Sequence, residues 1–273
     1  MISGPPDFAA DGLCSQGFDL DGLIRFNAEL RERGIDLILL PVPVKGAFAS
    51  VFFSEKAPAD RVVAVNHQWF MQQLLENDIE VIDLLPVFHA AADDSPEKPY
   101  IYNFNRDHHW ASGGRMAAAR ALAERLARYD FARQYPPDAL TVRTVMGRRD
   151  EDNEGKHYVP PGSYLNGREY PVFQVGLAQG KKLPELWCSE DNAAVKGSPI
   201  LLAGDSMLRE GTTGLPGTHF ADYLACATGV LPAALQDTLG FGLNFRENLG
   251  RSGRLPEILQ GRRVFVWVLC LIG

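Results

Sequence analysis

Pro199-Ile200-Leu201-Leu202-Ala203-Gly204-Asp205-Ser206 is an apolar run that stops on a glycine, an acid and a hydroxyl. Strand-forming or small apolar residues bounded by turn chemistry read as a buried strand ending in a tight turn. That turn presents the Ser206 hydroxyl at the edge of a sheet. A serine so placed is a nucleophile only where a base reaches it. One is available upstream in Arg106-Asp107-His108-His109-Trp110, with Asp107 and His109 two apart. The two segments together supply a hydroxyl, an imidazole and a carboxylate.

The chain on either side alternates helix and strand patterns. Leu20, Leu23, Ile24 and Leu30 fall near helical spacing and Gly34 follows, which predicts a helix over 20–33. Ile35 to Leu40 reads as a buried strand ended by Pro41 and Pro43. Asp60 is placed to cap a second helix carrying Val63, Trp69, Phe70, Leu74 and Leu75. Ile79 to Leu84 reads as a further strand, followed by an acidic, proline-containing loop over 86–99. Ser112 then caps a helix over 113–129. Residues 130–198 lose the rhythm and read as loops with short strands; they hold Pro136, Pro137, Pro160 and Pro161. A helix around 218–229 and a last strand, Arg263 to Ile272, complete the pattern.

Near-continuous apolar strands alternating with helices imply an α/β fold with a mainly parallel sheet covered on both faces. The strands at 36–41, 79–84, 199–204 and 263–272 are expected in one sheet, with the 113–129 helix against it. We expect a single domain spanning residues 1–273, with 130–198 as its loop-rich part. Ligand sites in such sheets lie beyond the carboxyl ends of strands, where Ser206 falls.

Composition excludes some functions. With 273 residues and 46% hydrophobic content the chain can bury a large core. Its 27 basic against 34 acidic residues, net −7, argue against general nucleic-acid binding, which needs a basic face. Cys14, Cys188, Cys226 and Cys270 lack Cys-x-x-Cys spacing, so no zinc or redox motif is expected. The opening Met1-Ile-Ser-Gly-Pro-Pro-Asp7 shows neither a basic region nor a long apolar run, so no signal peptide is read there. Val264 to Ile272 is about half the length of a membrane helix.

Serine hydroxyls do not attack acyl carbons unaided at neutral pH. An imidazole takes the proton, and a carboxylate holds that imidazole in the right tautomer. Asp107 and His109 can do this from one short segment, because residues two apart on extended chain share a side. His108 competes with His109 as base, and His109 is favoured. Trp110 is placed to shield the imidazole from water. Asp107 also has the commonplace role of a turn aspartate, and Asp205 that of capping the helix after the turn. An Asp107/His108/His109 metal site lacks a third-ligand motif, so neither metal nor cofactor is expected. His67, His89, His157 and His219 have no motif around them and read as ordinary. The developing oxyanion needs donors: the Ser206 backbone N–H is one, and Gly242 and Asn244 are candidates for others. Arg209 is near enough in sequence to line the same pocket, or else is a solvated loop arginine.

These residues carry a resemblance. Asp107-x-His109-Trp110, then Ser112-Gly113-Gly114 and a helix, then apolar-Gly204-Asp205-Ser206 about a hundred residues later, resemble the AlgJ/AlgX group of SGNH-hydrolase-like polysaccharide O-acetyltransferases. Leu40-Pro-Val-Pro-Val-Lys45-Gly46 is similar to the strand-end Pro-x-Lys of that group, and Val81-Ile82-Asp83-Leu84 to its following strand. Asp and His precede Ser here as in that group, the reverse of ordinary SGNH esterases. The resemblance covers about residues 20–270 and implies a three-layer SGNH-like sandwich. It makes Ser206 the acyl-accepting nucleophile, His109 the base and Asp107 its orienting acid.

The implied activity is transfer of acetyl groups onto hydroxyls of an exopolysaccharide such as alginate. The resemblance also implies a periplasmic or cell-envelope location, a polysaccharide acceptor, and an acetyl donor delivered by a membrane acyltransferase partner. Two alternatives stay open: a carbohydrate acetyl esterase using the same triad, and a non-catalytic polysaccharide-binding assembly component.

Overall fold

The computed structural model describes residues 20–48, 65–93, 101–102, 109–136, 138–148, 169–178, 197–209, 217–236 and 255–270. In chain order the elements are α1 (Leu20–Glu32), β1 (Asp36–Val42), α2 (Lys45–Phe48), α3 (Val65–Glu76), β2 (Glu80–Val81), α4 (Leu84–Asp93), α5 (Ser112–Leu126), β3 (Leu140–Arg148), β4 (Glu169–Leu177), β5 (Ile200–Gly204), α6 (Ser206–Arg209), α7 (Phe220–Thr228), β6 (Ala233–Gln236), α8 (Leu255–Leu259) and β7 (Val264–Cys270). Five strands form one sheet in the order β2-β1-β7-β5-β6, every neighbouring pair parallel. β3 and β4 form a separate antiparallel ribbon.

Alternation along the central strands builds two cores. Ile38, Leu40 and Val42 of β1, Ile200 and Leu202 of β5, and Val264, Val266 and Val268 of β7 face one layer. That layer is filled by Leu84 and Phe88 of α4, Ala118 and Leu122 of α5, and Phe220 and Leu224 of α7. The intervening residues, among them Leu37, Leu201, Phe265 and Trp267, face Leu23, Phe26 and Leu30 of α1, Phe70 and Leu74 of α3, and Ile258 and Leu259 of α8. Phe26 meets Phe265 and Trp267 edge-on at 5.3 and 5.8 Å. Strands buried on both faces need apolar residues at every position, which is why these segments read as unbroken runs. The result is an α/β sandwich with a parallel central sheet covered by helices on both faces.

Several local expectations need correction. β1 does not stop at Pro41 but runs on to Val42. Leu39 turns its carbonyl toward β2, accepting from Ile82 N–H, so Pro41, two residues on, turns its nitrogen the same way. β2 pairs only with Ile38 and Leu39, and no ladder bond is asked of the proline. The strand expected over 79–84 shrinks to two residues because Asp83 caps a helix. Its Oδ1 accepts the Leu85 N–H at 3.0 Å, and α4 occupies most of the expected 86–99 loop. Pro86 does not break α4, since it sits in the first turn, where an N–H has no intrahelical partner.

Ser112 is the first residue of α5, not its cap; Ala111 takes that position, and the helix ends at Leu126. Leu75 is 59% exposed, off the buried face of α3. Asp60 and Val63 lie outside the described residues. The stretch 130–198 holds not short strands alone but a nine-residue pairing, from Leu140↔Leu177 to Arg148↔Glu169. Among the described residues no helix is long and apolar enough to cross a membrane.

Candidate active site

Ser206 follows β5 by two residues at the carboxyl end of the sheet and opens α6. The turn is closed by Asp205, whose buried Oδ1 accepts the Met207 N–H at 2.9 Å and whose carbonyl accepts the Leu208 N–H at 3.0 Å. Asp205 therefore caps α6, satisfying donors the short helix leaves open. Gly204 permits the close approach that fixes this corner. A Cβ there would lie 2.6 Å from the Val268 carbonyl oxygen of β7.

His109 reaches the serine from across the sheet end. Its Nε2 lies 2.9 Å from Ser206 Oγ, with His109 buried and Ser206 half-buried. For Nε2 to accept the hydroxyl proton the imidazole must carry its own proton on Nδ1, the tautomer a general base requires. The His109 segment is held by its neighbours. Trp110 pairs with Tyr102 in an antiparallel bridge, and the Ala111 N–H donates to the Ile101 carbonyl at 2.7 Å. Tyr102 in turn donates its hydroxyl to the Pro43 carbonyl just beyond β1. On the helix side, a Cβ on Gly114 would come within 2.5 Å of the Ile101 oxygen, so α5 can lie against this strand only with a bare backbone there.

Trp110, expected to shield the imidazole, is fixed by contacts of its own. It is fully buried, stacks on Phe220 at 5.2 Å, and donates its Nε1–H to the Met207 carbonyl at 2.9 Å. Behind it, β4 is pinned to two helices: Phe173 N–H donates to Ser112 Oγ at 3.2 Å, and the Tyr223 hydroxyl donates to the Phe173 carbonyl. Burial pushes the Tyr223 phenol well above its ordinary range, against the opposing pull of the buried Arg115, so it stays protonated as a donor. His219 serves the start of α7, its backbone N–H donating to Asp222 Oδ2 at 2.9 Å and its Nδ1 lying 3.1 Å from the same oxygen. His67 is buried on α3, and its desolvation holds the imidazole below the ordinary value of 6.5, with Asp83 partly opposing.

Of the residues singled out in the sequence, Ser206 and His109 come together. Asp107, His108, Gly242 and Asn244 lie outside the described residues. Arg209 ends α6, and only its backbone is described. Among the described residues no cluster of His, Cys, Asp or Glu is arranged to hold a metal ion. The Trp110–Met207 bond has only half its signal in the sequence: an indole donor beside His109 is visible there, but its backbone acceptor is set only by the folded turn.

The family model for the SGNH hydrolase-like domain of the acetyltransferase AlgX matches residues 18–229. The O-acetyltransferase domain of Pseudomonas putida AlgJ is similar in structure, with a TM-score of 0.65 at 19% identity over 98% of this chain and 85% of that one. Pseudomonas aeruginosa AlgX gives 0.58 at 17% identity, covering 92% of this chain and 54% of that one. Bacillus cereus PatB1 gives 0.52 at 12% identity over 93% and 89%. No curated protein matches the chain in sequence. At these identities the structural likenesses speak to the fold.

Proposed function

The chain belongs to the SGNH hydrolase-like family of acetyltransferase AlgX, and from that premise we propose that it transfers acetyl groups onto hydroxyls of an exopolysaccharide through an acetyl-serine at Ser206. The observation that carries this reading is the 2.9 Å approach of His109 Nε2 to Ser206 Oγ, made between segments 97 residues apart at the carboxyl end of the sheet. The contact puts Nε2 within reach of the hydroxyl proton at the end of the sheet where ligands of such folds bind.

In the first half-reaction Ser206 Oγ attacks the acetyl carbonyl carbon while His109 Nε2 takes the hydroxyl proton. The tetrahedral oxyanion collapses, the bond to the donor's leaving group breaks, and that group departs with the proton from Nε2. In the second, a sugar hydroxyl attacks the acetyl carbon and gives its proton to Nε2, and Ser206 Oγ leaves carrying it. Asp107 is proposed to orient the imidazole and stabilise its charged form. The Ser206 backbone N–H, with Gly242 and Asn244, is proposed to receive the oxyanion, and Arg209 to line the pocket. With water as the acceptor the same steps amount to ester hydrolysis. The proposed acceptor is an alginate-like polymer in the periplasm or cell envelope, with acetyl supplied by a membrane acyltransferase partner.

The test is turnover of a chromogenic acetyl ester with and without oligosaccharide. Acetylated sugar supports transfer, and acetate release alone supports the esterase. Ser206→Ala should abolish both while leaving the melt nearly unchanged; a folded Ser206→Ala protein with near-normal turnover would remove the chemical basis of the proposal.

A further inference from the structure

One residue beyond the His109–Ser206 contact, on both segments, lies a second bond. Trp110 Nε1–H donates to the Met207 carbonyl over 2.9 Å, and the two bonds span the same 97 residues. The second is sealed at both ends, with Trp110 at 0% and Met207 at 1% exposure. None of its atoms takes part in the acyl chemistry. The indole is held by stacking on Phe220 at 5.2 Å and by Phe88 at 6.4 Å, and its backbone by the bridge to Tyr102.

The difference matters once the serine is loaded. In the free protein the Ser206 hydroxyl donates to Nε2, so this bond itself helps to hold base and nucleophile together. An acylated Oγ has no proton to donate, and a neutral Nε2 facing an ester oxygen is a lone pair facing a lone pair. The bond is lost at the stage when His109 must still receive the proton of the incoming hydroxyl and return it to the departing Oγ. A contact that survives acylation is needed to keep the two segments in place.

We infer that Trp110 is a positioning residue for deacylation, its indole N–H tying the base-bearing segment to the serine turn while the acyl group is on the protein. This rests on the acetyl-serine reading above. Removing the donor takes from the buried Met207 carbonyl its bond to the indole, a loss on the scale of about tenfold in an equilibrium or a rate. The deficit falls chiefly on the loaded state, where the Ser206–His109 bond no longer shares the task.

The variant is Trp110→Phe, which keeps an aromatic ring in the stack and deletes the N–H. Two steps are read separately: labelling of Ser206 by a sulfonyl fluoride, which reports the first attack, and decay of the acetyl adduct by intact mass after a pulse of chromogenic acetyl ester. The expected result is labelling within about twofold of the parent and adduct decay slowed about tenfold, so that acetyl-protein accumulates. Equal slowing of both steps, or of neither, overturns the inference. A parent protein that forms no acetyl adduct at Ser206 instead overturns the acetyl-serine reading beneath it. Should Trp110→Phe fail to fold, exchange of the Trp110 indole proton in the parent, followed by NMR before and after sulfonylation, decides the matter. Protection in both states is expected, and exchange at the exposed-indole rate after sulfonylation refutes it.

Discussion

A methyl group placed on Gly204 tests whether backbone packing sets the Ser206–His109 distance. The added Cβ falls 2.6 Å from the Val268 carbonyl oxygen and 3.1 Å from Val268 Cβ, where ordinary contact begins at 3.4 Å. β7 continues past Val268, paired with β1 as far as Cys270, whereas β5 ends at Gly204, so the end of β5 is the part that yields, by about 0.8 Å. Ser206 lies two residues on and moves with it. A 2.9 Å hydrogen bond displaced by that amount along its own line opens to about 3.7 Å, outside hydrogen-bonding range. Overpacking of this kind costs about 1–3 kcal/mol, and each kcal/mol lowers Tm by about 2–4 °C for a chain of this class. Turnover should suffer more than stability, because a displacement near 1 Å at a reacting pair costs about a hundredfold in rate. Initial rates on a chromogenic acetyl ester, run beside thermal melts of Gly204→Ala, measure both. A variant with unchanged Tm and turnover within about twofold of the parent would refute the reasoning.

Asp107→Asn should retain more activity than Ser206→Ala or His109→Ala, because nucleophile and base both remain and chiefly tautomer and orientation are perturbed; equal losses in kcat would count against the orienting role. His67 should make stability depend on pH in the acid range. Its folded-state pKa is lowered by burial, so the unfolded chain binds the proton first and stability falls as pH drops below 6.5. Replacing His67 with Gln should flatten that slope in Tm measured against pH, and parallel curves for the two proteins would sink the assignment. Glu80 accepts from Arg125 at 2.8 Å and from Arg128 at 3.1 and 2.6 Å. These arginines are well exposed, so Glu80→Gln should cost only about 1 kcal/mol in urea unfolding, less at high salt. A loss unaffected by salt would show that the network acts through something other than charge.

What could be read in the sequence was what depends on local pattern. β1, β5 and β7 are buried on both faces, so their apolar runs announced them, and the Gly-Asp-Ser turn announced where one of them ends. β6 gave no such signal. Ala233-Ala-Leu-Gln236 has little strand preference, and it is a strand because β5 offers it a ladder. α4 was hidden by Pro86, which reads as a breaker unless Asp83 is recognised as the cap that puts the proline in the first turn. The β3–β4 ribbon was blurred because its outer strand is largely solvent-facing: Val142 is 36% and Met146 55% exposed, so alternation is weak. The His109–Ser206 pairing was legible because its chemistry restricts which residue types can take part. The framework around it, from the Pro43 carbonyl through Tyr102 to Trp110 and Met207, uses backbone acceptors that carry no residue identity.

β7 is the last of the sheet's strands in sequence and yet lies between β1 and β5. Asp36 of β1 pairs with Val264 of β7, about 230 residues away, a separation that makes the central pairing slow to form. During synthesis β1 and β5 emerge with no shared neighbour until residues 264–270 follow. The Pro43–Tyr102 tie and the Ser206 turn therefore belong to two half-sheets that share no strand ladder until β7 is made. The register of the Ser206 turn against the His109 segment should therefore be completed when β7 enters the sheet rather than growing in with length. The same arrangement makes β7 a keystone for quality control. Damage that frees this one strand, such as a charge introduced at Val266, should unseat both halves together and leave no partly active remnant.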